Sequence, residues 1–208
     1  MTLRLITAPT VPAVSLIEAK AHLRVVGTDE DMLITAMVDT ATQAAEHETG
    51  RAMMPQTWEA GFDGFPAGFK FTQGMSQNIV GITYPESFKL TRGPAQSVVG
   101  ITYIDTYGAI QTIASSLYKL VQDDFGCALI IPSFGSSWPA CRNETDGIKV
   151  RYVAGYADAA NVPSAIKSWI LLHLGALFEN RESEVIERGM QIKLGFADRL
   201  LDRYRVYI

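Results

Sequence analysis

Apolar and polar residues alternate with two different periods along this chain, and the change of period divides it into three parts. The first part reads as helix. Ser15-Leu-Ile-Glu18 has the spacing of a capping box, with Ser15 placed to accept from the third helical N–H and Glu18 to reach back to the cap. The helix it opens, residues 15–26, is expected to bury Leu16, Ala19, Leu23 and either His22 or Val26, and to end at Gly27. Thr28-Asp-Glu-Asp31 starts a second helix, its acids favoured by the positive helix N-terminus. That helix carries Leu33, Met37, Thr40, Ala41 and Ala44 on one side and stops at Gly50, a good C-cap.

The period then shortens to two. Short strands are expected at 57–62, 87–91, 97–105, 117–121, 128–131 and 147–153, separated by turn signals such as Arg92-Gly-Pro94, Tyr107-Gly108 and Gly126. Within 97–105, Val99, Ile101 and Tyr103 alternate with Val98, Gly100 and Thr102. The clearest alternation is Ile148, Val150 and Tyr152 against Lys149 and Arg151, the pattern of a strand with one face buried. Residues 66–84, rich in glycine and poor in apolar periodicity, read as a long exposed loop or hairpin.

Helical spacing returns after Asn161. Pro163 suits a first helical residue because it has no N–H to lose there. Ile166, Trp169, Ile170, His173, Leu174, Leu177 and Phe178 then recur at helical spacing in a helix spanning 163–181. A polar connector (182–193) leads to a short amphipathic segment with Phe196, Leu200, Leu201 and Tyr204, and to the apolar, aromatic ending Tyr204-Arg-Val-Tyr-Ile208. The expected fold class is α+β. Its helical core comprises the two N-terminal helices plus the C-terminal helices, and a β-rich domain is inserted between them. The three parts span residues 1–56, 57–156 and 157–208.

Chemical motifs are sparse. Ser164-Ala-Ile-Lys167 fits S-x-x-K, in which a lysine one turn away activates a serine, but its companion motifs are absent. A serine in the first helical turn beside a solvated lysine is the plainer reading. Asp29, Glu30 and Asp31 do not converge as metal ligands would, and Asp123-Asp124 reads as a turn. His22, His47 and His173 have no second ligand at i+3 or i+4, and phosphate-binding glycine loops and nucleophile elbows are missing. The expectation is a protein that is not an enzyme and takes no cofactor and no metal. Cys127 and Cys141 lack CxxC or zinc spacing and fit two free thiols in a reducing compartment, with a disulfide between them as the alternative.

Composition narrows the partners. A chain of 208 residues buries roughly 70% of its unfolded surface, enough for a real core. The net charge of −4 divides as −3 over residues 1–56, −2 over 57–161 and +1 over 162–208, with no basic stripe. Tight or sequence-specific DNA binding is therefore not expected, since phosphate neutralisation supplies most of that affinity. A protein that surrounds DNA without gripping it fits this charge pattern. The longest apolar run, Trp169–Phe178, contains His173 and is too short to span a bilayer. With no signal peptide evident, synthesis in a cytoplasm is expected.

Several segments together resemble one family. Pro12-Ala-Val-Ser-Leu-Ile-Glu-Ala-Lys-Ala-His-Leu-Arg24 is followed by Asp29-Glu-Asp31, then by Leu90-Thr-Arg-Gly-Pro-Ala-Gln-Ser-Val98 and Ile101-Thr-Tyr-Ile-Asp105. Tyr152-Val-Ala-Gly-Tyr156, Val162-Pro-Ser-Ala-Ile-Lys167, Phe178-Glu-Asn-Arg181 and Leu200-Leu-Asp-Arg-Tyr-Arg205 complete the order. The chain resembles the head–tail connector (adaptor) proteins of tailed bacteriophages, the gp6-like family, in its branch with a β-rich insertion.

That resemblance implies a structural virion protein made in the host bacterial cytoplasm and located in the neck, at the head–tail interface. It implies a homo-oligomeric ring, usually of twelve copies, under the portal protein, which extends the DNA channel and meets a stopper or tail-completion protein. Double-stranded DNA would pass through without sequence-specific contacts, and no membrane is involved. Gene transfer agents use similar parts. Trp169, His173, Phe178 and Arg181 are the candidate subunit-interface residues. Tyr204, Arg205, Val206, Tyr207 and Ile208 form the candidate arm for docking on the portal or a neighbouring subunit. The alternatives are another phage neck or tail-completion module, and a hydrolase using Ser164 and Lys167.

Overall fold

The computed structural model describes residues 1–66, 87–122, 128–180 and 199–206. These fall into two units, one formed by Met1–Ala8 with Gln56–Ala154 and the other by Pro9–Pro55 with Gly155–Ile208. The class is mixed α+β, with three α-helices and two antiparallel sheets among the described residues.

The helical unit begins with α1 (Leu16–Leu23), where Ser15 Oγ accepts from the Glu18 N–H and the Glu18 carboxylate accepts from the Ser15 N–H at 2.8 Å. The capping box therefore forms as its spacing predicts. α1 ends earlier than expected, because Arg24 takes the left-handed conformation (φ 56°) that closes the helix. His22 and Val26 both lie in solvent, Val26 at 98% exposure, so neither joins the core. Lys20 ties the turn to the next helix, donating to the Gly27 carbonyl and pairing with Asp31 at 2.5 Å.

α2 (Asp31–Thr49) ends at Gly50 in the left-handed region (φ 68°), as its sequence predicts. Its buried stripe is Ile34, Val38, Ala41, Ala45 and Thr49, which keeps Ala41 of the expected Leu33, Met37, Thr40, Ala41 and Ala44 and is otherwise rotated from it. Both stripes have helical spacing and lie about 100° apart, so periodicity alone does not choose between them. Packing does: Ile34 and Val38 meet Ile166, Ile170 and Leu174 of α3 (Ser164–Glu179) in one core that also holds Val14, Met53 and Leu201. Each fully buried Ile, Val or Leu here stabilises the fold by roughly 1.5–3 kcal/mol. Pro163 is the N-cap of α3 rather than its first residue, so the helix starts one residue later than expected.

The β unit contains a five-stranded sheet in the order β1-β2-β8-β4-β5. These strands are β1 (Thr2–Thr7), β2 (Gln56–Phe62), β4 (Ala95–Ile104), β5 (Ile110–Ile113) and β8 (Ile148–Ala154). A three-stranded sheet follows the order β3-β7-β6, from β3 (Phe88–Leu90), β6 (Tyr118–Gln122) and β7 (Ala128–Pro132). All pairs are antiparallel.

In β8 the predicted alternation holds, with Ile148, Val150 and Tyr152 fully buried while Lys149 and Arg151 face solvent. In β4 it does not. The register with β8 shifts between Val98 and Gly100, so Val99 is the extra residue of a bulge and stands 60% exposed. Phe65 stacks on Trp138 at 5.3 Å and meets Phe88 and Tyr103 edge-on, giving this unit an aromatic centre. Two strands escaped the sequence reading. β1 lies where only helix was expected and pairs Thr2–Thr7 with β2, and β5 closes a hairpin with β4. The loop expected over 66–84 falls almost wholly outside the described residues.

Candidate functional site

The helix α3 was expected to present a subunit interface. Trp169 is only 8% exposed and belongs to its own chain's core, its ring stacked on His173 at 4.9 Å and 7°. His173 and Phe178 are half-buried, Phe178 packing against the same core, and Arg181 lies outside the described residues. Trp169 and His173, one turn apart, lie together, whereas Phe178, nine residues after Trp169, falls about 180° around the helix, and much of this surface is used inside the chain.

The C-terminal arm is built from the end of α2 outward. Leu201 is fully buried, and the turn Asp202–Tyr204 brings the chain back to Arg51. Arg51 Nε donates to the Tyr204 carbonyl at 2.5 Å, and the Val206 N–H donates to the Thr49 carbonyl at 2.9 Å. Arg205 pairs with Glu48 and with Asp202, each at 3.1 Å. Burial pushes the Tyr156 hydroxyl above its ordinary pKa, with Arg51 opposing the shift. Tyr204, Arg205 and Val206 are thus anchored on their own chain. Tyr207 and Ile208 lie outside the described residues. A lone arginine after a helix stop carries no sequence signal of this contact, because its partner is 153 positions away.

The remaining chemical candidates resolve into local contacts. Ser164 is the exposed first residue of α3, and Lys167 Nζ sits 3.3 Å from Glu18 Oε1. Asp31 pairs with Lys20. Among the described residues no three His, Cys, Asp or Glu side chains are grouped to hold a metal ion, and no helix is long and apolar enough to cross a membrane. Cys141 is a free thiol, whereas Cys127 and Asp123-Asp124 lie outside the described residues. On the outer face of the five-stranded sheet, an open cleft of about 400 Å³ is lined by Thr2, Arg4, Glu59, Thr102, Asp146 and Lys149. Thr2 Oγ1 donates to Asp146 at 2.5 Å, and Arg151 pairs with Glu59 at 2.7 Å.

One helical unit and one antiparallel β unit, with the C-terminal segment fastened to the end of α2 inside the helical unit, define a mixed α+β protein whose described polar contacts hold segments of the chain together. The sequence profile of the phage gp6-like head-tail connector proteins matches residues 13–117. The chain belongs to that family. Among curated protein sequences none matches it.

Solved structures of similar fold come from gene transfer agent particles. A chain from the neck of an empty particle, computed with C6 symmetry, superposes with a TM-score of 0.74 at 18% identity. A chain from the virion of a native particle gives 0.72 at 19%, and one from the neck of a native particle, computed with C12 symmetry, gives 0.71 at 18%. In each case 100% of this chain and 97% of the other are covered.

Proposed function

We propose that this protein is a structural head–tail connector that works in the neck of a phage-like particle as a closed ring of twelve copies. The ring sits under the portal, extends the DNA channel and offers its far side to a stopper or tail-completion protein. In this reading the helical parts (1–56 and 157–208) are the connector core and the β-rich part (57–156) is an insertion into it. The role is architectural rather than enzymatic.

The observation that carries the reading is family membership over residues 13–117, joined to a fold likeness to neck components that covers the whole of this chain. The charge pattern is compatible with it. With no basic stripe, duplex DNA would slide past without the counterion-release affinity that grips it.

Native mass spectrometry of the full chain, alone and with its cognate portal, tests the reading. A twelve-copy species that binds portal is expected, whereas a protein monomeric under both conditions would overturn it. Portal docking is proposed for the arm Tyr204–Ile208, and subunit contact for α3 around Trp169, His173, Phe178 and Arg181. Because Tyr204 and Val206 take part in the anchoring bonds, truncation after Val206 is the informative deletion. It should weaken portal capture without changing the fold, and unchanged capture would remove the arm from the proposal. Ser164→Ala should leave assembly intact.

A further inference from the structure

The five-stranded sheet has two outer strands, β1 and β5, and among the described residues neither is paired on its outer side. Its four neighbouring pairs are all antiparallel, so β1 and β5 run in the same direction.

Backbone alternation shows which groups each edge offers. In an antiparallel ladder successive residues direct their N–H and C=O to opposite sides. The Ile104 N–H donates to Gly147 at the β8 side, so Tyr103 points to β5 and meets Gln111. That leaves Ile110 and Thr112 pointing outward. Ile148, opposite Tyr103, points to β2, as does Val150, and both meet Phe62 and Ala60 there. Gly61 and Glu59 then point to β1, where they meet Thr2 and Arg4, leaving Leu3 and Leu5 pointing outward. Each edge therefore offers two residues, spaced by two, with free N–H and C=O groups.

Neither edge is well defended. Natural edge strands carry lysines, prolines or bulges that discourage pairing. β5 reads Ile-Gln-Thr-Ile, with no charge and no proline, and Ile110 is 77% exposed. β1 has one charge, Arg4, and a register shift only after Leu5, so Thr2–Leu5 is a regular four-residue edge matching the four of β5. Leu5 and Ile6 are 43% and 41% exposed.

We infer that β5 of one copy pairs, in parallel, with β1 of the next, so that the sheets of neighbouring subunits run on into one another. The occupant of each edge is a second copy of this chain. This rests on the ring reading above, because a cyclic assembly needs two different, complementary surfaces on each subunit. Two like-directed edges at opposite ends of one sheet supply such a pair, whereas β1–β1 or β5–β5 contacts would stop at a two-fold dimer.

Proline substitution provides the test. Leu3→Pro and Thr112→Pro each remove an outward N–H and place a ring on the edge, while leaving the internal ladder its donors. In the full chain, each variant should keep the wild-type circular dichroism spectrum yet raise the half-assembly concentration ~10-fold or more by native mass spectrometry. Leu3→Val and Thr112→Val should assemble as wild type. A mixture of the two proline variants retains one good β5 edge and one good β1 edge, so it should give 1:1 dimers and nothing larger. Hydrogen exchange on the unmodified protein provides a second readout, with peptides covering 1–7 and 109–113 gaining protection on assembly. Normal ring formation by either proline variant, or no gain in protection, overturns the edge pairing and leaves the ring reading standing. A wild-type chain that forms no ring even with portal overturns both.

Discussion

The Nε of Arg51 donates to the carbonyl oxygen of Tyr204 at 2.5 Å, fastening the C-terminal turn to the end of α2. Arg51 is almost fully buried, so the charge depends on partners inside the chain, and Tyr156 is another of them.

Replacing Arg51 by alanine removes a buried, charge-assisted hydrogen bond and leaves the Tyr204 carbonyl unpaired. A loss of about 2–3 kcal/mol is expected, read from urea unfolding at unchanged m-value. Arg51→Lys should recover only part of it, because a single ammonium does not reproduce the guanidinium's fork.

Gly155 has φ +118°, and a Cβ at this position would run into the Met54 carbonyl and come within 2.9 Å of the Pro55 nitrogen. Both obstacles are backbone and have little freedom to yield. Gly155→Ala should therefore cost roughly 1–3 kcal/mol from backbone strain, with the collision adding to it. Gly100→Ala, with open space around its Cβ, should be near neutral. Thermal unfolding of the two variants side by side checks the contrast.

Tyr152 donates its hydroxyl to the Thr91 carbonyl at 2.6 Å, and burial pushes its pKa up to about 12, with Thr91 and Arg92 opposing the shift. A folded-state pKa above the unfolded value near 10 leaves stability intact below pH 10. It makes stability fall as pH rises from 10 toward 12, by roughly 2–3 kcal/mol in all. Urea unfolding across this range should show the fall, and Tyr152→Phe should remove its largest part, leaving the share of Tyr156, whose hydroxyl burial also pushes up.

Ser15 holds the Glu18 carboxyl below its ordinary pKa, first through its backbone N–H and then through its hydroxyl. A depressed carboxylate contributes stability above its unfolded pKa and loses it as pH falls through the folded value. Ser15→Ala should cost about 1 kcal/mol near neutral pH. In an NMR titration it should also raise the Glu18 midpoint toward 4.5.

Local signals in this sequence were legible wherever neighbours along the chain decide the outcome. The Ser15–Glu18 box, the Gly50 stop and the Ile148-Val150-Tyr152 alternation each need only a few consecutive residues, and each appears as read. Misreadings arise where a distant segment decides. Which of two adjacent stripes on α2 is buried depends on α3, more than 100 residues later. The phase of β4 depends on a bulge set by its pairing with β8, and Thr2–Thr7 becomes a strand because β2 offers it a ladder.

The same division separates the sites. Sequence order alone marked Trp169, His173 and Phe178 as apolar or aromatic positions of one helix and Tyr204–Ile208 as an unusual ending. Only the tertiary structure turned Trp169 into the chain's own core, anchored Tyr204 and Val206 on α2, and placed β1 and β5 at opposite edges of one sheet. A short window of sequence specifies capping, periodicity and turn chemistry because those interactions close within a few residues. Burial and strand pairing are contacts between segments, and their partners are known only once the whole chain has folded.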